Sequence, residues 1–205
     1  MIVKVCGMRD PDNIRAVAAT GVDWMGFIFY PHSPRYFDQS SISLPGSIAR
    51  VGVFVNEKPE RILQTAGTFD LDYIQLHGNE PADVCGLLRK EGYPVIKAVS
   101  VSSADDIAGT APYEGVVDYF LFDTKCKGFG GSGRPFDWSV LESYRGRTPF
   151  LLSGGISSGS LAELERFHHP RWAGIDLNSG FEIAPACKDE HLLKAFVHQF
   201  KSKFK

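Results

Sequence analysis

Long apolar runs are missing from this 205-residue chain, and no stretch approaches the ~20 residues that a helix needs to cross a bilayer. The opening, MIVKVCGMRD, also lacks the apolar centre of a secretory signal. A cytoplasmic protein with no membrane partner is the expectation. An excess of one charge is equally absent: 22 Lys and Arg stand against 24 Asp and Glu, a net charge of −2, scattered along the chain. Nothing in that balance calls for nucleic acid, and a small molecule is the expected ligand. Cysteine is sparse. Cys6, Cys85, Cys126 and Cys187 lie far apart with no CxxC pair and no Cys/His cluster, which argues against a zinc site and a redox dithiol. Free thiols and no metal are expected.

What is present is alternation. With 43% hydrophobic residues the chain can bury a full core as one domain over residues 1–205. Short β-like runs are predicted at Ile2–Cys6, Trp24–Phe29, Val51–Val55, Tyr73–Leu76, Val95–Val99, Tyr119–Phe122, Phe150–Leu152 and Ala173–Leu177. Helical segments follow each in turn, with one exception. Asp10-Pro11-Asp12 opens the first, with Asp as N-cap and Pro at the first helical position. After the second run comes a loop stiffened by Pro31 and Pro34. The later helices are expected at Pro59–Ala66, Glu80–Glu91, Ser103–Gly109, Phe136–Tyr144, Ser158–Phe167 and Asp189–Lys203. Eight such runs, recurring after roughly 22 to 30 residues, fit an α/β fold of the (β/α)8 type, the TIM barrel, near its lower size of about 200 residues. A doubly wound sheet, the rival, would usually need fewer βα units.

In such a barrel, chemistry gathers at the C-terminal ends of the strands and in the loops just beyond. Those positions are polar here: Cys6-Gly7, His32 to Arg35, Asn56, His77-Gly78, Asp123, Gly154-Gly155 and Asp176 to Gly180. Taken singly, each has an ordinary structural reading; their convergence on one face is what points to a site. Asp123 ends an apolar run and leads into Gly128, Gly130, Gly131 and Gly133, a loop light enough to cross a site closely. The turns at Gly154-Gly155 and Ser179-Gly180 follow the seventh and eighth strands, where barrels commonly hold phosphate. Glycines there let backbone N–H groups approach a dianion. Ser157 and Ser158 are expected to cap the helix that follows, and Phe181 to Cys187 has the length of a short extra helix.

These residues resemble the phosphoribosylanthranilate isomerase family of tryptophan biosynthesis. The resemblance rests on KVCGMR (4–9), GFIFYPHSPRY (26–36), VGVFVNE (51–57), IQLHGNE (74–80), FDTKCKGFGGSGRPFDW (122–138), LLSGGI (151–156) and GIDLNSGFE (174–182), with Lys188-Asp189 beyond. Together these span nearly the whole chain. The resemblance implies a (β/α)8 enzyme that performs the Amadori rearrangement of N-(5-phosphoribosyl)anthranilate to 1-(2-carboxyphenylamino)-1-deoxyribulose 5-phosphate, with no cofactor and no metal. It also implies roles. Asp123 is the general acid that protonates the furanose ring oxygen, and Cys6 is the general base that removes the C2 proton. Arg35 receives the anthranilate carboxylate, His77 and Asp176 give supporting hydrogen bonds, and Gly155, Ser179 and Gly180 hold the 5′-phosphate.

An aspartate titrates ordinarily near about 4 and a thiol near about 8.5, so each role asks for a tuned environment. Lys4, two residues before Cys6 on the same strand face, is the candidate source of positive charge for the thiolate. Asn178 and His32 depart slightly from the family pattern without removing a catalytic group. A monomer or a homodimer is compatible with the sequence. Two other readings stand beside this one: a neighbouring barrel enzyme, such as the histidine-pathway isomerase or a pentose phosphate epimerase, and a silent barrel that binds a phosphorylated metabolite. The silent barrel would be expected to have lost Cys6, Asp123 or Arg35, and all three are present.

Overall fold

The computed structural model describes residues 1–124 and 138–204. Eight parallel strands close into a barrel in sequence order: β1 (Ile2–Cys6), β2 (Trp24–Ile28), β3 (Ala49–Phe54), β4 (Tyr73–Leu76), β5 (Val95–Val101), β6 (Tyr119–Thr124), β7 (Phe150–Leu152) and β8 (Trp172–Leu177). The seam pairs β1 with β8 and sets Lys4 opposite Asp176. The expected (β/α)8 barrel is therefore the fold, with a loop and no helix between β2 and β3. Its helical layer is thinner than predicted. Among the described residues it consists of α1 (Pro11–Ala18), α2 (Pro59–Thr68), α3 (Ala82–Lys90), α4 (Ala104–Ala108), α5 (Leu161–Arg166) and α6 (Glu190–Lys203).

Each strand divides its side chains between two cores, because successive residues point to opposite faces. Trp24, Val51, Ile96, Leu121 and Leu151 fill the barrel interior with Tyr73 and Tyr119 packed against them. Val3, Val5, Met25, Phe27, Phe120, Phe122, Ile175 and Leu177 point outward into the larger core under the helices. On β6 the inward series Tyr119, Leu121, Asp123 thus climbs from the interior packing to the mouth.

Local chemistry explains the helix starts. Asp10 accepts from the N–H of Asn13 at 2.8 Å with Pro11 at the first helical position, as expected, and Asp189 caps α6 by accepting from Leu192 at 2.9 Å. Three expectations are corrected. Ser157 and Ser158 do not cap α5; Ser160 precedes it, and the Ser160 hydroxyl accepts instead from the N–H of Ser157 at 3.0 Å, which delays the helix. Phe181 to Cys187 is not a helix. Ser179–Phe181 is a single 3₁₀ turn leading into an antiparallel ribbon of β9 (Glu182–Ala184) and β10 (Cys187–Lys188), turned by Ala186 at φ 66°. Of the helix predicted at Phe136–Tyr144, the described part, Trp138–Ser143, is 3₁₀. Cys126 and the Gly128 to Gly133 loop lie outside the described residues.

Candidate active site

The eight residues singled out from the sequence line a single pocket at the C-terminal mouth: Cys6, Arg35, His77, Asp123, Gly155, Asp176, Ser179 and Gly180. Parallel register is the cause. Cys6, Asp123 and Asp176 each point inward near the end of their own strand, while Arg35, His77 and the two glycine-bearing turns come from the loops immediately beyond.

Cys6 is buried beside a buried ion pair, Lys4 Nζ to Asp176 Oδ1 at 2.8 Å. Gly26 on the neighbouring strand makes room for this trio, since a Cβ at Gly26 would lie 2.8 Å from Cys6 Sγ and 3.1 Å from Lys4 Nζ. Burial pushes the Cys6 thiol up. The charges of Lys4 and Lys188 pull the other way, while that of Asp176 adds to the rise. The cation expected from the sequence is thus in place, but desolvation outweighs it. Burial also raises the Asp176 carboxyl against the pull of Lys4, with the charge of Asp123 adding to the rise. Lys4 is pulled down by burial, yet Asp176 and Cys6 together hold it above its ordinary value.

Across the mouth, Asp123 is 5% exposed, and its Oδ2 lies 3.6 Å from His77 Nε2. The Gln75 side-chain amide sits 2.9 Å from the other ring nitrogen and fixes the imidazole plane. The loop carrying His77 is itself held from below. Buried Lys97 donates to the Gly78 carbonyl at 2.7 Å and pairs with Glu80 at 3.2 Å, while Glu80 Oε1 accepts from the N–H of Asn56 at 2.8 Å and of Gly78 at 3.1 Å. Neither Lys97 nor Glu80 was found from sequence, because nothing local marks a buried lysine as a loop anchor.

Arg35 packs over Gly7, where φ is +76° and an added Cβ would lie 2.7 Å from Arg35 Cδ. Its guanidinium is held by Glu182 through Nε at 2.8 Å and Nη2 at 2.6 Å. Glu182 also was not found from sequence, since 147 residues separate it from its partner. Opposite, Gly154 and Gly155 take φ of +81° and +71°. Among the described residues, no turn or loop carbonyl accepts from the N–H of Gly155. Gly155, Ser179 and Gly180 all line the pocket, and backbone N–H groups at such turns suit an anion.

A closed parallel barrel with a thiol and carboxylates converging on one mouth is the architecture of the (β/α)8 enzymes. Residues 3–199 match the family described as N-(5'phosphoribosyl)anthranilate (PRA) isomerase. The chain is 55% identical to the N-(5'-phosphoribosyl)anthranilate isomerase of Phocaeicola vulgatus, over 99% of both chains, and 53% identical to that of Parabacteroides distasonis, over 97% of this chain and 93% of the relative. It superposes on the crystal structure of phosphoribosyl anthranilate isomerase from Thermotoga maritima with a TM-score of 0.84 at 35% identity, over 98% of this chain and 100% of that one. A further isomerase structure, in complex with reduced 1-(o-carboxyphenylamino)-1-deoxyribulose 5-phosphate, gives 0.81 at 33% identity, with the same coverage. The chain belongs to the phosphoribosylanthranilate isomerase family, the aldose-ketose isomerases of tryptophan biosynthesis.

Proposed function

We propose that this chain converts N-(5-phosphoribosyl)anthranilate to 1-(2-carboxyphenylamino)-1-deoxyribulose 5-phosphate at the barrel mouth, with Asp123 as general acid and Cys6 as general base. The observation that carries the reading is the convergence of Cys6, Arg35 and Asp123 with the Gly155 and Ser179-Gly180 turns on one pocket. Asp123 gives its proton to the furanose ring oxygen; the ring opens and the amine nitrogen forms a Schiff base with C1. Cys6 then takes the proton from C2, and the electron pair moves through C2–C1 to the nitrogen. The resulting enolamine tautomerises to the C2 ketone. No electrons are gained or lost, so the rearrangement asks only for a donor and an acceptor of protons.

Binding at the two ends of the substrate holds C2 against the thiol. Arg35 takes the anthranilate carboxylate, and the N–H groups of Gly155, Ser179 and Gly180 take the 5′-phosphate. His77 orients Asp123, and Asp176 holds Lys4 beside the sulfur. The test follows anthranilate fluorescence as phosphoribosylanthranilate, generated in place, is consumed. Wild type is expected to turn the substrate over, and Cys6→Ala and Asp123→Asn each to lose about a hundredfold or more in kcat, the size of a general acid or base contribution. Folded wild type that leaves the substrate untouched would overturn the reading.

A further inference from the structure

Two charged residues stand behind the pocket wall and neither gives nor takes a proton in the proposed rearrangement. Glu182 begins β9 and Lys188 ends β10; neither lines the pocket. Their side chains are nevertheless buried, at 6% and 0% exposure. Glu182 holds Arg35 along one edge, with Oε1 accepting from Nε–H at 2.8 Å and Oε2 from Nη2–H at 2.6 Å. The same Oε1 accepts from Lys188 Nζ at 2.6 Å and from the N–H of Ala186 at 3.1 Å. Lys188 donates in addition to Asn178 Oδ1 at 2.7 Å, and its backbone is fastened to the Asn13 side chain of α1 on both sides, at 2.9 and 2.8 Å.

This arrangement decides what Arg35 can offer. A guanidinium carries five N–H donors, and Glu182 takes two of them from the side edge. The end edge, with one N–H from each terminal nitrogen, is left for a planar anion in bidentate contact. Charge is the second constraint. Arg35 and Glu182 by themselves sum to zero, so an incoming carboxylate would meet a neutral pair; Lys188 returns the cluster to a net positive charge. Burial pushes the Glu182 carboxyl up, but Arg35 and Lys188 more than offset it and hold it below the usual range.

We propose that Glu182 and Lys188 are positioning residues for carboxylate recognition. Glu182 locks Arg35 with its end edge free, and Lys188 supplies the charge that keeps the cluster attractive to an anion. Asn178, the departure from the family pattern, acquires a role as the second acceptor for Lys188. The inference rests on the proposed function, since it deepens the binding step of that reaction.

The test is steady-state kinetics with phosphoribosylanthranilate on wild type, Glu182→Gln, Glu182→Asp, Lys188→Met, Arg35→Ala and the Arg35→Ala/Glu182→Gln double variant. Glu182→Gln is expected to raise KM about 10- to 100-fold, the scale of a lost charge-assisted contact, with kcat within about threefold; Lys188→Met is expected to raise KM on the same scale and to lower kcat as well, because its charge also pulls the Cys6 thiol down. Glu182→Asp, which keeps the charge, recovers part of that loss. On the Arg35→Ala background, Glu182→Gln adds little, as a residue acting through Arg35 must. Unchanged KM in folded Glu182→Gln, or a rise in KM that recurs undiminished on the Arg35→Ala background, would overturn the proposal. Lys188→Met carries the same test if Glu182→Gln does not fold. Failure of the underlying reading looks different: no turnover by wild type, or an Arg35→Ala variant with wild-type KM.

Discussion

The proposed role of Cys6 asks a thiol to act as a base from a place where burial holds its proton on. What moderates this is Lys4, whose ammonium lies beside the sulfur while paired with Asp176. The direction of the balance predicts the pH behaviour. A thiol pushed above its ordinary range is a thiolate only toward alkaline pH, so alkylation of Cys6 by iodoacetamide should rise with a midpoint above that of a free thiol. Removing Lys4 takes away the first of the charges that pull the midpoint down. In Lys4→Met the alkylation midpoint should therefore move further up, and the alkaline rise of kcat/KM should move with it. A midpoint that stays where it is in the variant would remove Lys4 from the catalytic account. Cys85, a buried residue of α3, has its own thiol pushed up to about 11 by burial, so the measurement uses a background in which Cys85, Cys126 and Cys187 are replaced by Ala and Cys6 is the one thiol left.

At the scale of elements, the helix starts that carry their own chemistry are the ones legible in sequence. Asp10-Pro11 sets α1 by a contact only three residues long, and Asp10→Ala should cost about 1 kcal/mol, read as a fall in Tm of roughly 2–4 °C for a chain of this size. A Tm unchanged within error would mean that α1 is held by packing alone. The strands were legible for a related reason: runs such as Tyr119–Phe122 must be apolar on both faces when one faces the barrel interior and the other the helices. The segment after β8 was not legible. Composition and length allowed a helix from Phe181 to Cys187. The ribbon forms because Glu182 is drawn to Arg35 and Lys188 and because Asn13 pairs the Lys188 backbone, contacts that reach across the chain and leave no local periodicity. The same limit hid Glu80 and Lys97. Cys6, Asp123, the glycine turns and their neighbours Lys4, His77 and Asp176 could be placed because a barrel fixes where strand ends go; Glu80, Lys97, Glu182 and Lys188 could not, because their contacts come from whichever loop lies nearest in three dimensions.

Closure of the barrel brings the first strand against the last, and the site spans that seam. Cys6 belongs to β1 and Asp176 to β8, and Lys4 and Asp176 are register partners as well as an ion pair. Gly174 lets the strands come this close, since a Cβ there would collide with the Ile2 backbone. A buried ion pair is a poor way to hold a seam, because desolvating both charges cancels much of their attraction. Apolar residues of similar size would serve stability as well or better. The pair is therefore expected to be kept for the chemistry at the sulfur, and a double substitution separates the two roles. Lys4→Met alone leaves the Asp176 carboxylate buried without its cation and should cost about 3–5 kcal/mol; Lys4→Met with Asp176→Leu should recover most of that loss. Activity should not return with it. Urea unfolding followed by circular dichroism, set beside turnover of phosphoribosylanthranilate, reads both quantities. A double variant as unstable as the single one would make the pair a structural clamp; one that regained turnover would take Lys4 and Asp176 out of the reaction.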